Sequence, residues 1–156
     1  MKQRTCILIK PDGIEKKVIG QILTRFEDQG FQLLGIKMVP ANQEKLENFY
    51  SEHKGKTFYD HFLNFMLSGP IVATVWEGED IILRSRQIIG ATNSKEAEIG
   101  SLRNLYGTDN RKNLVHGSDS SISAEREIKI MFHESELCLN RDCALGLNEP
   151  SQTKVP

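Results

Sequence analysis

Little in this chain of 156 residues is present in excess. Cysteine is scarce. Cys6, Cys138 and Cys143 form an odd set without the spacing of a disulfide framework, which fits a reducing compartment. Long apolar runs are missing, so no segment reads as a membrane span. No leader-like segment opens the chain either, since Met1-Lys-Gln-Arg-Thr runs straight into a short apolar stretch. These absences set the expectation of a soluble, cytoplasmic protein with no membrane partner. An excess of one charge is absent too: 20 Lys and Arg oppose 21 Asp and Glu, a net charge of −1. That removes any whole-protein pull towards nucleic acid, while leaving room for a local basic pocket. Standard phosphate motifs are also missing. Gly30 and Gly35 have the spacing of P-loop glycines, but Ile36-Lys37 stand where Lys-Ser/Thr is required. No GxGxxG follows a strand, and His133, Cys138 and Cys143 do not make a credible zinc set. Any nucleotide chemistry here needs a different cradle.

What remains is enough chain for one domain with a real core. Residues 5–9, TCILI, read as a buried strand ended by a turn at Pro11-Asp12-Gly13. Residues 16–28 carry Val18, Ile19, Ile22, Leu23 and Phe26 at helical spacing, and Gly30 closes that helix. Residues 31–39 read as a second strand. Asn42 caps a helix bearing Leu46, Phe49 and Tyr50, and a short helix follows with Phe58, Phe62, Phe65 and Met66. IVATVW after Gly69-Pro70 is a third strand, and residues 79–89 form a helix ended by Gly90. From Gly90 to about Asn113 periodicity fails, and a loop that long is either functional or a misassigned stretch. Residues 121–126 read as a helical turn. The alternation of Ile128, Ile130 and Phe132 then predicts a last strand, with one helix through residue 131 as the competing reading. The order is that of a ferredoxin-like βαββαβ frame: an α/β (α+β) sandwich with a four-stranded antiparallel sheet and inserted helices. Residues 1–137 make the domain, and 138–156 form a polar tail with no apolar period, expected to be loosely held.

The most informative segment is Asn113-Leu-Val-His-Gly-Ser-Asp-Ser120. A histidine sits between an apolar strand-like run and a turn, and Gly117 is expected to bend the backbone beside the ring. Glu127 follows in an apolar context. An imidazole with an orienting carboxylate is the pattern of an activated nucleophile or acid/base. Taken singly, each residue has a plainer reading. His116 would be a satisfied turn histidine, Lys10 a surface lysine before a turn, and Arg86 and Arg103 solvated charges. Thr92 would be turn chemistry, Tyr50 and Phe58 core aromatics, and Glu127 a surface helix residue.

Together they are specific. Lys10-Pro-Asp-Gly13, Phe58, Ser68-Gly-Pro70, Arg86, Gly90-Ala-Thr-Asn93, Gly100-Ser-Leu-Arg103, Asn113, His116-Gly-Ser-Asp-Ser120 and Ala124-Glu-Arg-Glu127 occur in the order and spacing of one family. Over residues 3–137 the chain resembles nucleoside diphosphate kinases, of bacterial type. The resemblance implies ping-pong transfer of the γ-phosphate between nucleoside tri- and diphosphates through a phosphohistidine at His116. It implies that Glu127 and Ser118 hold the ring and its tautomer. Lys10 would meet phosphates and the sugar hydroxyl. Arg86, Thr92 and Arg103 would bind phosphate oxygens, and Asn113 the ribose. Phe58 would stack on the base, with Tyr50 nearby. Mg²⁺ would arrive bridging the phosphates rather than in a protein cage. A homo-oligomer, tetramer or hexamer, is also implied.

Four positions depart from that family's common pattern: Phe62, Ser94, Asn104 and Asn110. None is a reacting group, so they bear on pocket shape rather than chemistry. Two rivals use the same frame without the chemistry. One is a non-catalytic nucleotide- or nucleic-acid-binding module, although the strands lack paired stacking aromatics. The other is a scaffold with a dead nucleotide site.

Overall fold

The computed structural model describes residues 1–139; the expected tail from residue 140 onward, with Cys143, lies outside the described residues. A four-stranded sheet runs in the order β2-β3-β1-β4, with β1 Lys2–Ile9, β2 Gln32–Val39, β3 Ile71–Glu79 and β4 Val115–Gly117. Every pairing is antiparallel. The helices are α1 Pro11–Glu15, α2 Ile19–Glu27, α3 Gln43–Phe49, α4 Tyr59–Met66, α5 Ile81–Ile89, α6 Leu102–Tyr106 and α7 Ser121–Met131.

Strand alternation sorts the core onto both faces of the sheet. Cys6 and Leu8 of β1 join Leu34, Ala73 and Val75 beneath α3, α4 and α7. Ile7 and Ile9 point the other way, with Val72 and Trp76, against α2, α5 and α6. Both faces are covered, so β1 and β3 are apolar along most of their length, and the central strands are the most deeply buried. The two core polar groups on β3 satisfy each other: Trp76 Nε1 donates to Thr74 Oγ1 at 2.9 Å, and that hydroxyl donates to the carbonyl of Ile7 at 2.9 Å.

Four local expectations need correction. The Pro-Asp-Gly segment is a turn of helix, not a free turn, because Pro11 fits the first helical position, whose N–H has no intrahelical partner. The predicted helix from residue 16 begins only at Ile19, since Lys17 takes a positive φ of 58° and interrupts it. The largest change is at the end. Residues 128–132 do not form the last strand. One helix, α7, runs to Met131, and the fourth strand is the three-residue β4 that carries His116. Ser120 caps α7 through the backbone N–H of Ser123. The buried positions Ala124, Glu127, Ile128 and Met131 fall at three- and four-residue spacing. That stripe outweighs the local alternation of Ile128, Ile130 and Phe132, which are buried or half-buried against the same core. The long segment after Gly90 is also partly structured, by a 3₁₀ turn at Ser94–Glu96 and by α6.

Candidate active site

His116 sits on β4 opposite Leu8 of β1, so its ring projects to the sheet face that α3 and α7 cover. Gly117 has no positive φ. Its requirement is space rather than a sharp bend, as a Cβ there would lie 2.7 Å from Ile89 Cδ1 on the opposite face. α7 begins directly after this strand and returns across the ring, bringing Glu127 to it. His116 Nε2 lies 2.7 Å from Glu127 Oε1, and the Ser118 hydroxyl donates to the same oxygen at 2.8 Å. A carboxylate oxygen accepts, so Nε2 carries the proton. Nδ1 then has no partner among the described residues. Phe49 and Tyr50 meet the imidazole edge-on, with centroids 4.9 and 5.7 Å away. The ring is thus fixed by one hydrogen bond and two aromatic walls. Glu127 is only 4% exposed. It is not a surface helix residue.

A cavity of about 420 Å³ opens in front of the imidazole. All the predicted site residues line it except Ser118, which is fully buried behind Glu127. At its floor Lys10 is buried, contrary to the plain reading of a surface lysine. Its Nζ donates to Asn113 Oδ1 at 2.6 Å and lies 5.2 Å from the centre of the Phe62 ring. Arg103 donates from Nε to the carbonyl of Asn113, from Nη1 to Gly90 and from Nη2 to Val115, at 3.1, 3.0 and 2.8 Å. Three of its five N–H groups are therefore spent on backbone carbonyls, two of them on or just before the strand that carries His116 and one at the end of α5, and two remain for a ligand. Burial pulls the Lys10 ammonium down to about 7, and neighbouring Arg103 pulls in the same direction while Asp12 opposes. Burial, then Arg86, lowers Arg103 to about 10. The Tyr50 hydroxyl has no hydrogen-bond partner among the described residues, and burial pushes its pKa well up.

Arg86 and Thr92 are exposed at the mouth. Arg86 Nη1 donates weakly to the Gly117 carbonyl, 3.4 Å away, and the carbonyl of Thr92 accepts from Asn113 Nδ2 at 2.9 Å. Phe58 is 45% exposed. It is not a core aromatic, and it flanks His53 with ring centres 5.7 Å apart. The unusual positions find places. Phe62 packs edge-on to Tyr50, and Asn110 and Arg111 line the outer cavity. Asn104 accepts the backbone N–H of Gly100, and Ser94 is buried.

Sequence reasoning missed Phe49, Arg111 and Asp12 as parts of this site. Phe49 looked like one more apolar position of its helix. Arg111 has no local signal. Asp12 lies inside the Lys-Pro-Asp-Gly segment, where nothing local assigns it a task. Its Oδ2 accepts the backbone N–H of Leu114 at 3.0 Å, deep under the cavity floor.

The cavity's carboxylates are Glu52, Asp119 and Glu127, the last already engaged by His116 and Ser118. Among the described residues no group of three His, Cys, Asp or Glu could hold a metal ion. Lys10, Arg86, Arg103, Arg111 and Arg126 all face the same space. Such a donor set suits a polyanion.

The comparisons with known proteins agree with this geometry. The family model for nucleoside diphosphate kinase matches residues 3–137. The chain is 48% identical over 135 residues to a nucleoside diphosphate kinase of Carboxydothermus hydrogenoformans, covering 86% of this chain and 91% of that protein. It is also 48% identical over 135 residues to one of Saccharomyces cerevisiae, covering 86% and 88%. Among solved structures, the Aquifex aeolicus nucleoside diphosphate kinase superposes with a TM-score of 0.86 at 45% identity, covering 88% of this chain and 99% of that one. The Halobacterium salinarum nucleoside diphosphate kinase, solved in complex with CDP, gives 0.85 at 40% identity, covering 88% and 91%. With a family match over most of its length and relatives near half identity, the chain belongs to the nucleoside diphosphate kinase family.

Proposed function

We propose that the protein transfers the γ-phosphate of a nucleoside triphosphate to a nucleoside diphosphate in two half-reactions through His116. The observation that carries this reading is the His116 Nε2 to Glu127 bond, which leaves Nδ1 as the ring nitrogen without a partner among the described residues. The Nδ1 lone pair attacks the γ-phosphorus, the bond from phosphorus to the β,γ-bridging oxygen breaks, and the diphosphate leaves. A second diphosphate reverses the step. Phosphoryl transfer asks chiefly for positioning and for cations around spreading charge. Lys10 and Arg103 at the floor, with Arg86 and Thr92 at the mouth, are the groups for phosphate oxygens. Lys10 and Asn113 suit the sugar hydroxyls, Phe58 suits the base, and Tyr50 and Ser118 keep the imidazole and Glu127 in place.

Mg²⁺ belongs to the same proposal. The cation-lined cavity would suit a metal that arrives on the phosphates, Asp119 being a lining carboxylate that could help to hold it, and the ion would neutralise charge on the transferring group. A homo-oligomer is supported by the half-exposed Ile36 and Met38 on the edge strand β2, and sedimentation would check it.

The deciding test is chemical. Incubation with a nucleoside triphosphate and Mg²⁺ should give a phosphoenzyme that is labile in acid and stable in base, as a phosphoramidate is and a phosphoserine is not. His116→Ala should lose both label and turnover. A mutant that still labels and exchanges phosphate sinks the assignment.

A further inference from the structure

Asn113 and His116 both face the cavity, yet in a regular strand residues three apart point to opposite sides of the sheet. The chain resolves this at Leu114, which takes a φ of 80° while its side chain is fully buried. The N–H of Val115 reaches back to the carbonyl of Asn113 at 2.9 Å. This is a γ-turn of the strained, positive-φ kind, unusual for a leucine. Such a conformation persists only where its surroundings fix it.

The fixing groups come from one short segment. The N–H of Lys10 donates to the Leu114 carbonyl at 2.8 Å, and Asp12 Oδ2 accepts the Leu114 N–H at 3.0 Å. Gly13 leaves room: a Cβ there would lie 2.7 Å from Ile9 Cγ2 and 3.3 Å from the Leu114 oxygen. Both backbone groups of the strained residue are thus held by Lys10-Pro-Asp-Gly13, the same segment that supplies the cavity's buried ammonium.

We propose that Asp12 is a positioning residue, holding Leu114 in the turn that aims Asn113 and His116 into one cavity and acting as the buried countercharge to Lys10 and Arg103. The inference rests on the functional reading above for its kinetic consequences, but not for its structural ones. Burial raises the Asp12 carboxyl, while Lys10, the N–H of Leu114 and Lys16 favour its charged form, and Asp12 in turn supports the charged forms of Lys10 and Arg103. Lys10 also acts on His53 across the cavity. Asp12 as a residue is 3% exposed, so little solvent screens its carboxylate.

The two tasks separate by substitution. Asp12→Asn keeps an acceptor oxygen for Leu114 and removes the charge. Asp12→Ala removes both. In the full chain, the Leu114 amide of the wild type should be among the slowest to exchange hydrogen, and the Lys10 ammonium should titrate at lower pH in Asp12→Asn than in wild type. The alkaline limb of kcat/KM should move to lower pH with it. Asp12→Ala should in addition lose kcat by roughly tenfold to a hundredfold, the scale of a small misplacement of reacting groups. A wild-type Leu114 amide that exchanges rapidly, or an Asp12→Asn enzyme whose Lys10 titration and pH profile overlay the wild type, overturns the proposal. Should the variants fail to fold, the wild-type exchange rate still decides the first task. Amide exchange and lysine titration need no turnover, so a wild type that moves no phosphate would defeat the functional reading and leave this one to stand on its own result.

Discussion

The two ends of the cavity are built differently. At the inner end every functional group is tied down. Lys10 bonds Asn113, Arg103 bonds three carbonyls, and Glu127 is shared by His116 and Ser118. Lys10, Arg103, Asn113 and Glu127 are all buried. At the outer end Phe58, Asn110 and Arg111 are exposed, and among the described residues they are hydrogen-bonded through their backbones, by Phe62, Asn113 and Asp109 in turn, and not through their side chains. The difference matches two tasks. Charge stabilisation needs donors that do not reorganise during the reaction, whereas a flat stacking surface tolerates many partners.

The largest effect should come from the inner end. Arg103→Ala should slow phosphate transfer by roughly a hundredfold or more, because a cation aimed at developing phosphate charge is worth several kcal/mol. It should also lower the melting temperature, since the carbonyls of Gly90, Asn113 and Val115 each lose the Arg103 donor, that of Asn113 keeping the Val115 N–H. Arg103→Lys should recover only part of either, as an ammonium cannot span the three acceptors that the planar fork reaches. A wild-type kcat in Arg103→Ala would show that Arg103 is a structural prop alone, and the contrast between the ends would lose its main support.

A second test asks whether the inner end is poised for an anion. Lys10 titrates near 7 in the free protein, chiefly because it is buried. Polyphosphate beside it favours the charged form, so nucleotide binding at pH 8 should take up a fraction of a proton. Affinity should fall as pH rises above about 7. Calorimetry in buffers of different ionisation enthalpy would measure the uptake. Stability should run the other way. Between about 7 and the ordinary 10.5, the unfolded chain binds the proton that the folded chain does not, so the free protein becomes more stable as pH climbs through that window. Binding without proton uptake would mean that the nucleotide phosphates do not reach Lys10.

How much of this was legible in the sequence follows the same divide. The strands β1 and β3 could be read because burial on both faces leaves continuous apolar runs, and the edge strand β2 because its sequence is apolar although Ile36 and Met38 stay half-exposed. The fourth strand could not. Three residues carry no period, and the strained Leu114 precedes them. Helix α7 was half read, since its buried stripe includes Glu127, a residue that pattern reasoning counts as polar. His116, Glu127 and Lys10 were recognisable as members of a pattern, not from their own neighbours. Nothing local in Arg103 says that it will prop a strand ten residues on. Asp12 shows the limit most clearly, because its task exists only when residues about a hundred positions apart meet.

The smallest effects should lie at the outer end. Phe58→Ala should raise KM for every nucleotide by about tenfold and leave kcat nearly unchanged, since stacking on one aromatic face is worth ~1–3 kcal/mol whichever base is bound. The order of preference among ATP, GTP, CTP, UTP and dTTP should be little altered, because a π-face reads no base edge. Asn110 is the one amide on that wall, and its carboxamide has no protein partner among the described residues. Asn110→Val should therefore change kcat/KM by only a few-fold, and the test is whether the change is the same for each base. An equal change would mean that Asn110 only lines the slot. A change confined to one base would mean that the carboxamide reads its edge, and the outer end would no longer be indifferent. The sugar supplies the internal control. Lys10 and Asn113 belong to the fixed end, so a 3′-deoxy nucleotide should lose far more than any change of base. Equal rates with that analogue would place the boundary between the fixed and tolerant ends deeper in the cavity, between sugar and phosphate.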